Sequence, residues 1–173
     1  MLKWYGESCQ RSCWDRLARR PVDPTSILTP GRVTSLRKVH IRTFDVSDRE
    51  AVKELWSRCG LVRPQNAPDD DIDRKLSNDV SDFLVAVSDD IIIGSVMFGY
   101  DGHRGSINYL AVDAPFAGQG IGSQLMDEVE KRLSERGCPK INLQVRETNS
   151  AVADFYKKRG YVVDEVLSLG KRL

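Results

Sequence analysis

Histidine and cysteine are scarce in this chain, and neither is arranged to build a metal or disulfide centre. There are 2 histidines and 4 cysteines in 173 residues. Cys9, Cys13, Cys59 and Cys138 are too scattered for the disulfide framework of a small secreted domain. Cys9 and Cys13 lack a second Cys or His pair at a matching spacing, and His40 and His103 lie far apart, so no metal is expected. No apolar run approaches the roughly 20 residues needed to cross a bilayer, so no membrane partner is expected either. An excess of one charge is also missing, with 26 Lys and Arg against 25 Asp and Glu. The balance is uneven along the chain: residues 1 to 38 hold eight basic against three acidic residues, leaving 18 against 22 in the rest. That mildly acidic body carries no electrostatic footprint for nucleic acid. What is left is one globular domain with a full core in a reducing, cytoplasmic setting.

Residues 1–37 show no sustained period of 2 or 3.6 and are broken by Pro21, Pro24, Pro30 and Gly31. They read as a flexible N-terminal arm without an assigned function, ahead of a single domain over 38–173. From Val39 the pattern becomes regular. Val39 to Phe44 reads as a strand, and Ser47 to Glu50 as a capping box opening a helix that buries Val52, Leu55, Trp56 and Cys59 and stops at Gly60. Pro68 with Asp69, Asp70, Asp71 and Asp73 suits the first turn of a second helix, where carboxylates oppose the positive end of the helix dipole. Phe83 to Ser88 and Ile91 to Tyr100 read as strands joined by a tight Asp89-Asp90 hairpin. Asp101 to Gly105 makes a second turn, with His103 solvated in it, and Ile107 to Val112 a third strand.

After that strand come three glycines, Gly118, Gly120 and Gly122, and then a helical stripe of Ile121, Leu125, Met126, Val129 and Leu133 ending near Gly137. Lys140 to Glu147 reads as a strand and Asn149 to Arg159 as a helix with Val152, Phe155 and Tyr156 inward. Tyr161 to Val163 and Val166 to Leu169 read as closing strands. The order β-α-α-β-β-β-α-β-α-β-β implies an α/β (α+β) fold, a mixed and mostly antiparallel sheet with helices on both faces.

Gly118-Gln-Gly-Ile-Gly122 lets the backbone approach a ligand closely, and the helix that starts there adds its positive end, an arrangement suited to a pyrophosphate. It is not a Walker loop, because no lysine follows the last glycine, and it comes too late and with the wrong spacing for a dinucleotide fingerprint. Leu110-Ala-Val-Asp113, the glycine loop through Ser123, and Asn149 and Tyr156 with Gly160-Tyr161 together resemble the GNAT superfamily of acetyl-CoA-dependent N-acetyltransferases. The resemblance runs from Val39 to the C-terminus. It is nearest to small bacterial single-domain members, among them the ribosomal-protein alanine acetyltransferase and a group sharing features like Gly99 to Gly105 and Ser168 to Arg172.

The resemblance implies acetyl-CoA as co-substrate, no metal, and an amine acceptor that is a protein N-terminus, a lysine or a small molecule; homodimerisation is left open. Leu110, Ala111 and Val112 would pair with the pantetheine arm and offer N–H groups to the thioester. Gly118, Gln119, Gly120, Ile121, Gly122 and Ser123 would hold the pyrophosphate. Asn149 would contact the cofactor arm, as well as serving as a helix N-cap. Tyr156 would protonate the departing thiolate, although residues alone also allow a core aromatic there. Arg63, Asn66 and the loop from Gly60 to Pro68 would border the acceptor.

Two positions depart from the family pattern. Ala117 stands where Arg or Gln usually begins the loop, which implies weaker phosphate binding. Gln144 stands where the alanine acetyltransferases carry a glutamate base, and a neutral amide cannot accept a proton. Glu147 should face the other side of that strand. Asp101 and water chains are further candidates, and no base is chosen among them. An α-amine suits such a site better than lysine: near neutrality about a quarter of α-amines are unprotonated, against about one lysine in a thousand. A binding module that holds acetyl-CoA or CoA without turnover is the alternative that Gln144 favours.

Overall fold

The computed structural model describes residues 38–62 and 67–171. The expected arm over 1–37, together with Arg63 and Asn66, lies outside the described residues. Chain contacts divide at Leu143, with Gln144–Leu173 forming a second, smaller unit.

The first unit is built on one five-stranded sheet in the order β1-β2-β3-β4-β5. Its strands are β1 (His40–Thr43), β2 (Phe83–Ser88), β3 (Ile91–Tyr100), β4 (Gly105–Val112) and β5 (Ile141–Asn142). Every pairing is antiparallel except β4 with β5, which is parallel. All six residues of β2 are buried, so both faces of the sheet must be covered. The hairpin between β2 and β3 turns on Asp89 and Asp90, whose φ angles of 50° and 62° are those of the mirror-image turn that matches strand twist.

Helices α1 (Arg49–Arg58) and α2 (Pro68–Asn78) cover one face. Val52, Leu55 and Trp56 from α1 and Ile72 from α2 are buried with Phe83, Val85, Val87 and Met97 of the sheet. The Phe44 ring stacks on Phe83 at 4.3 Å between centroids. The acidic start of α2 also answers to α1, because Arg49 pairs with Asp69 and Asp73, and Lys53 with Asp69. Helix α3 (Ile121–Glu135) covers the other face through the expected stripe of Ile121, Leu125, Met126, Val129 and Leu133, all buried. It approaches closely at Gly94, where a Cβ would sit 3.1 Å from Leu125 Cδ1 and 3.1 Å from the Ala111 carbonyl oxygen. Each such buried aliphatic side chain contributes about 1.5–3 kcal/mol.

The mixed, mostly antiparallel sheet between helices is the expected class, with four local differences. The N-terminal cap of the α1 region is Asp45, not Ser47: Asp45 and Asp48 form the reciprocal capping box around a 3₁₀ turn at Val46–Asp48, one turn ahead of the helix. Arg42 then locks Asp48 at 2.5 Å. The third central strand begins at Gly105, two residues earlier than expected. The strand expected over Lys140 to Glu147 is formed only at Ile141–Asn142; its exposure alternates as far as Arg146, but alternation does not make a strand without a ladder.

The closing strands expected at Tyr161 to Val163 and Val166 to Leu169 are not formed. Val162 and Val163 are adjacent and both 80% exposed, so this apolar stretch has no buried face to fix a register. In this second unit, α4 (Ser150–Lys158) is the regular element, and Gln144 Nε2 donates to Ser168 Oγ at 2.5 Å.

Candidate active site

Strand β4 carries the residues expected to align the thioester, Leu110, Ala111 and Val112. Met97 pairs with Asn108 and Ser95 with Ala111, so β4 holds one extra residue between those points, a bulge. Within it Tyr109 takes a φ of 52°, a left-handed conformation that costs a non-glycine residue about 1–3 kcal/mol. Tertiary contacts hold it there. The Tyr109 ring stacks on Trp56 at 4.1 Å, Trp56 Nε1 donates to Ser95 Oγ at 2.9 Å, and Ser95 Oγ donates to the Tyr109 carbonyl at 3.3 Å. The Tyr109 hydroxyl donates to Asp71 Oδ2 on α2 at 2.5 Å. On its other side the β4–β5 ladder has only the pairs Gly105 with Ile141 and Ser106 with Asn142, so it stops before Leu110, Ala111 and Val112. The expected thioester strand therefore continues past the end of its parallel partner.

The turn after β4 is built by Asp113. Its carboxylate accepts from Ala114 N–H at 3.0 Å and pairs with Arg58 at 2.9 Å, tying the end of α1 to the start of the loop. Gly118 and Gly120 follow with φ angles of 78° and 79°, conformations that favour glycine. Gly120 is the N-cap of α3, which has no side-chain cap and no acidic residue in its first turn. The intrahelical ladder starts with Gln124 N–H to the Gly120 carbonyl, so the first-turn amides of Ile121, Gly122 and Ser123 have no acceptor within the helix. A Cβ on Gly118 or Gly120 would meet nothing within 4 Å, so the loop borders open space. Gln119 folds back on the preceding turn, its Nε2 donating to the Pro115 carbonyl at 3.2 Å and its own N–H to the Phe116 carbonyl at 3.4 Å. This is a cradle of amides at a positive helix end, suited to an anionic phosphate group.

The second unit holds the other two expected residues on one helix. Asn149 is the N-cap of α4, its side chain accepting from Val152 N–H. Tyr156 lies nearly two turns further on and is 7% exposed, edge-on to Phe155 at 5.1 Å and to Tyr161 at 5.4 Å. Burial pushes its phenol up to about 12, partly opposed by the positive charge of Arg159. A tyrosine so placed is a proton donor and not a phenolate near neutrality. Of the candidate bases, Asp101 is occupied by its own turn, accepting from His103 N–H and Arg104 N–H, and these bonds hold its carboxyl below the ordinary range. Glu147 is exposed in the turn before α4. Neither Tyr109 nor the Asp71 contact was expected, since nothing in the sequence marks an aromatic residue for a left-handed conformation.

A bulged strand that outruns its parallel partner therefore leads, through the Asp113 turn, to an amide cradle on the same α/β sheet. The chain matches the Acetyltransferase (GNAT) family over residues 49–161, and it belongs to that family. An acetyltransferase of Pectobacterium atrosepticum is 53% identical to it over 135 residues, covering 78% of this chain and 96% of that protein. The fold also matches the PaiA N-acetyltransferase of Thermoplasma acidophilum solved with coenzyme A, with a TM-score of 0.61 and 22% identity over 75% of this chain and 92% of that one. The aminoglycoside N-acetyltransferase AAC(6')-Iy solved with CoA matches with a TM-score of 0.67 and 17% identity, covering 82% and 99%. Among the described residues no helix is long and apolar enough to cross a membrane, and no group of three or more His, Cys, Asp or Glu side chains could hold a metal ion.

Proposed function

We propose that this protein is a cytoplasmic N-acetyltransferase that moves the acetyl group of acetyl-CoA to a primary amine by direct attack in a ternary complex. The observation that carries the reading is the cradle: two left-handed glycines, Gly118 and Gly120, open onto the uncapped first turn of α3, one short turn after β4 ends. Family membership supports the same reading. The residues suit the co-substrate, since the first-turn amides of α3 remain although Ala117 adds no side chain to them, and a Cβ at Gly118 or Gly120 would meet only open space. Gly118 to Ser123 would hold the pyrophosphate, and Asn149 the cofactor arm. Leu110 to Val112 would align the thioester, their N–H groups stabilising the oxyanion that develops on the carbonyl oxygen. Tyr156, kept protonated by burial, would give its proton to the departing sulfur.

The acceptor is an amine, and an α-amine of a protein or peptide suits best a site whose Gln144 is neutral and already bonded to Ser168. The likeness to ribosomal-protein alanine acetyltransferases points the same way, whereas the aminoglycoside enzyme among the fold neighbours acts on a small molecule. That same Gln144 favours one second reading, a module that binds CoA without turnover. The two part on Tyr156→Phe. An enzyme loses most turnover and keeps CoA affinity; turnover equal to that of the parent protein would remove Tyr156 from this role.

A further inference from the structure

We propose that Tyr109 and Asp71 together accept the proton of the acceptor amine, the Tyr109 hydroxyl touching the amine and Asp71 taking the proton through it. This rests on the N-acetyltransferase reading above and supplies the base that Gln144 cannot be. Tyr109 is the residue next to Leu110, at the bulge from which the thioester-aligning stretch of β4 departs. Its left-handed backbone is held by Trp56 on the ring and Ser95 on the carbonyl, a strained conformation of the kind found at functional sites because surrounding contacts over-determine it. Those contacts aim the hydroxyl at one oxygen of Asp71, at 2.5 Å.

The charged surroundings of Asp71 are few. On its own helix it pairs with Arg74, and Asp70 lies beside that pair. On α1, Arg49 and Lys53 are engaged by Asp69 and Asp73 instead. Its side chain is 23% exposed, which leaves a route for the proton to water. In the transfer, the ammonium gives one proton to Tyr109 Oη as Tyr109 passes its own to the Asp71 carboxylate, from which it leaves to solvent. The freed lone pair attacks the carbonyl carbon, the C–N bond forms and the C–S bond breaks with its electron pair on sulfur. The second amine proton, lost as the amide forms, replaces the one given to sulfur.

The test compares the full-length protein with Asp71→Asn and Tyr109→Phe, using spermidine, kanamycin and an alanine-initiated peptide as acceptors from pH 6.5 to 10, with desulfo-CoA affinity measured on each. The proposal predicts that both variants bind desulfo-CoA as the parent does and lose about 100-fold or more in kcat/KM near pH 7. It predicts that the deficit of Asp71→Asn narrows as pH rises and the amine arrives already unprotonated. A loss of constant size at every pH would assign the pair a structural role and overturn the proposal, as would variants within threefold of the parent. Parent protein that binds CoA but acetylates none of these amines contradicts the base assignment while leaving cofactor binding standing. Parent protein that does not bind CoA overturns the enzyme reading itself and this proposal with it.

Discussion

Two glycines with nearly the same backbone and different surroundings separate what the loop does for the fold from what it does for a ligand. Gly120 at the start of α3 and Gly137 just past its end have φ angles of 79° and 75°, and a Cβ at either would meet nothing within 4 Å. Alanine therefore brings the same penalty to both, the left-handed strain of about 1–2 kcal/mol, with no clash added. For a domain of this size that lowers Tm by roughly 2–8 °C, measurable by thermal unfolding without ligand. Only Gly120, however, stands in the amide cradle, where a methyl group would meet a bound pyrophosphate and turn the first amides of α3. Calorimetry with desulfo-CoA should then show a loss of about tenfold or more for Gly120→Ala, roughly 1.4 kcal/mol, and no change beyond twofold for Gly137→Ala. Equal affinities for both variants and the parent would refute the cradle, even if both had lost the expected stability.

Other expectations follow from the same geometry. Tyr156→Phe should lower kcat by about 100-fold or more with CoA affinity unchanged; because burial holds the phenol at about 12, ionisation of Tyr156 should not depress kcat anywhere below about pH 10, and a fall in kcat around pH 8 that Tyr156→Phe abolishes would contradict its role as the acid. Leu125→Ala, emptying the space under Gly94, should cost about 2–5 kcal/mol in urea unfolding; a loss below about 1 kcal/mol would mean that α3 is not seated as described. Burial works to raise the Asp48 carboxyl, but the Arg42 guanidinium and Asp45 N–H outweigh it and hold it below its ordinary value. A depressed carboxyl adds stability above its unfolded value of about 4 and loses it as pH falls through the folded one. The stability gap between the parent protein and Asp48→Asn should therefore shrink from pH 5 to pH 2, and a gap constant over that range would sink the argument.

What could be read from residues alone was whatever depends on local pattern. The Asp89-Asp90 hairpin, the α3 stripe and the Asn149 cap are each decided within a few residues, by turn chemistry, helical spacing and a capping amide, and each stands where it was expected. The cap was expected two residues too late because Ser47 and Glu50 match the capping-box spacing equally well, whereas the box is made by Asp45 and Asp48, the latter also paired with Arg42. The carboxy-terminal strands failed for another reason: Val162, Val163, Val166 and Leu167 have strand propensity, but a strand exists only where a ladder receives it. In the site, the glycine loop was legible because left-handed backbone selects glycine. Tyr109 was not, since its conformation is imposed by Trp56 and Ser95, which lie far away in sequence. Asp71 read as one of several carboxylates at a helix start, and only the fold brings it to the Tyr109 hydroxyl.

Calorimetric titration of the full-length protein with acetyl-CoA, desulfo-CoA and ATP tests the central claim most directly. Micromolar binding of both CoA compounds but not of ATP, lost in Gly120→Glu, is the predicted result. No heat and no thermal shift with acetyl-CoA would contradict it, leaving a chain that keeps the family fold without its co-substrate.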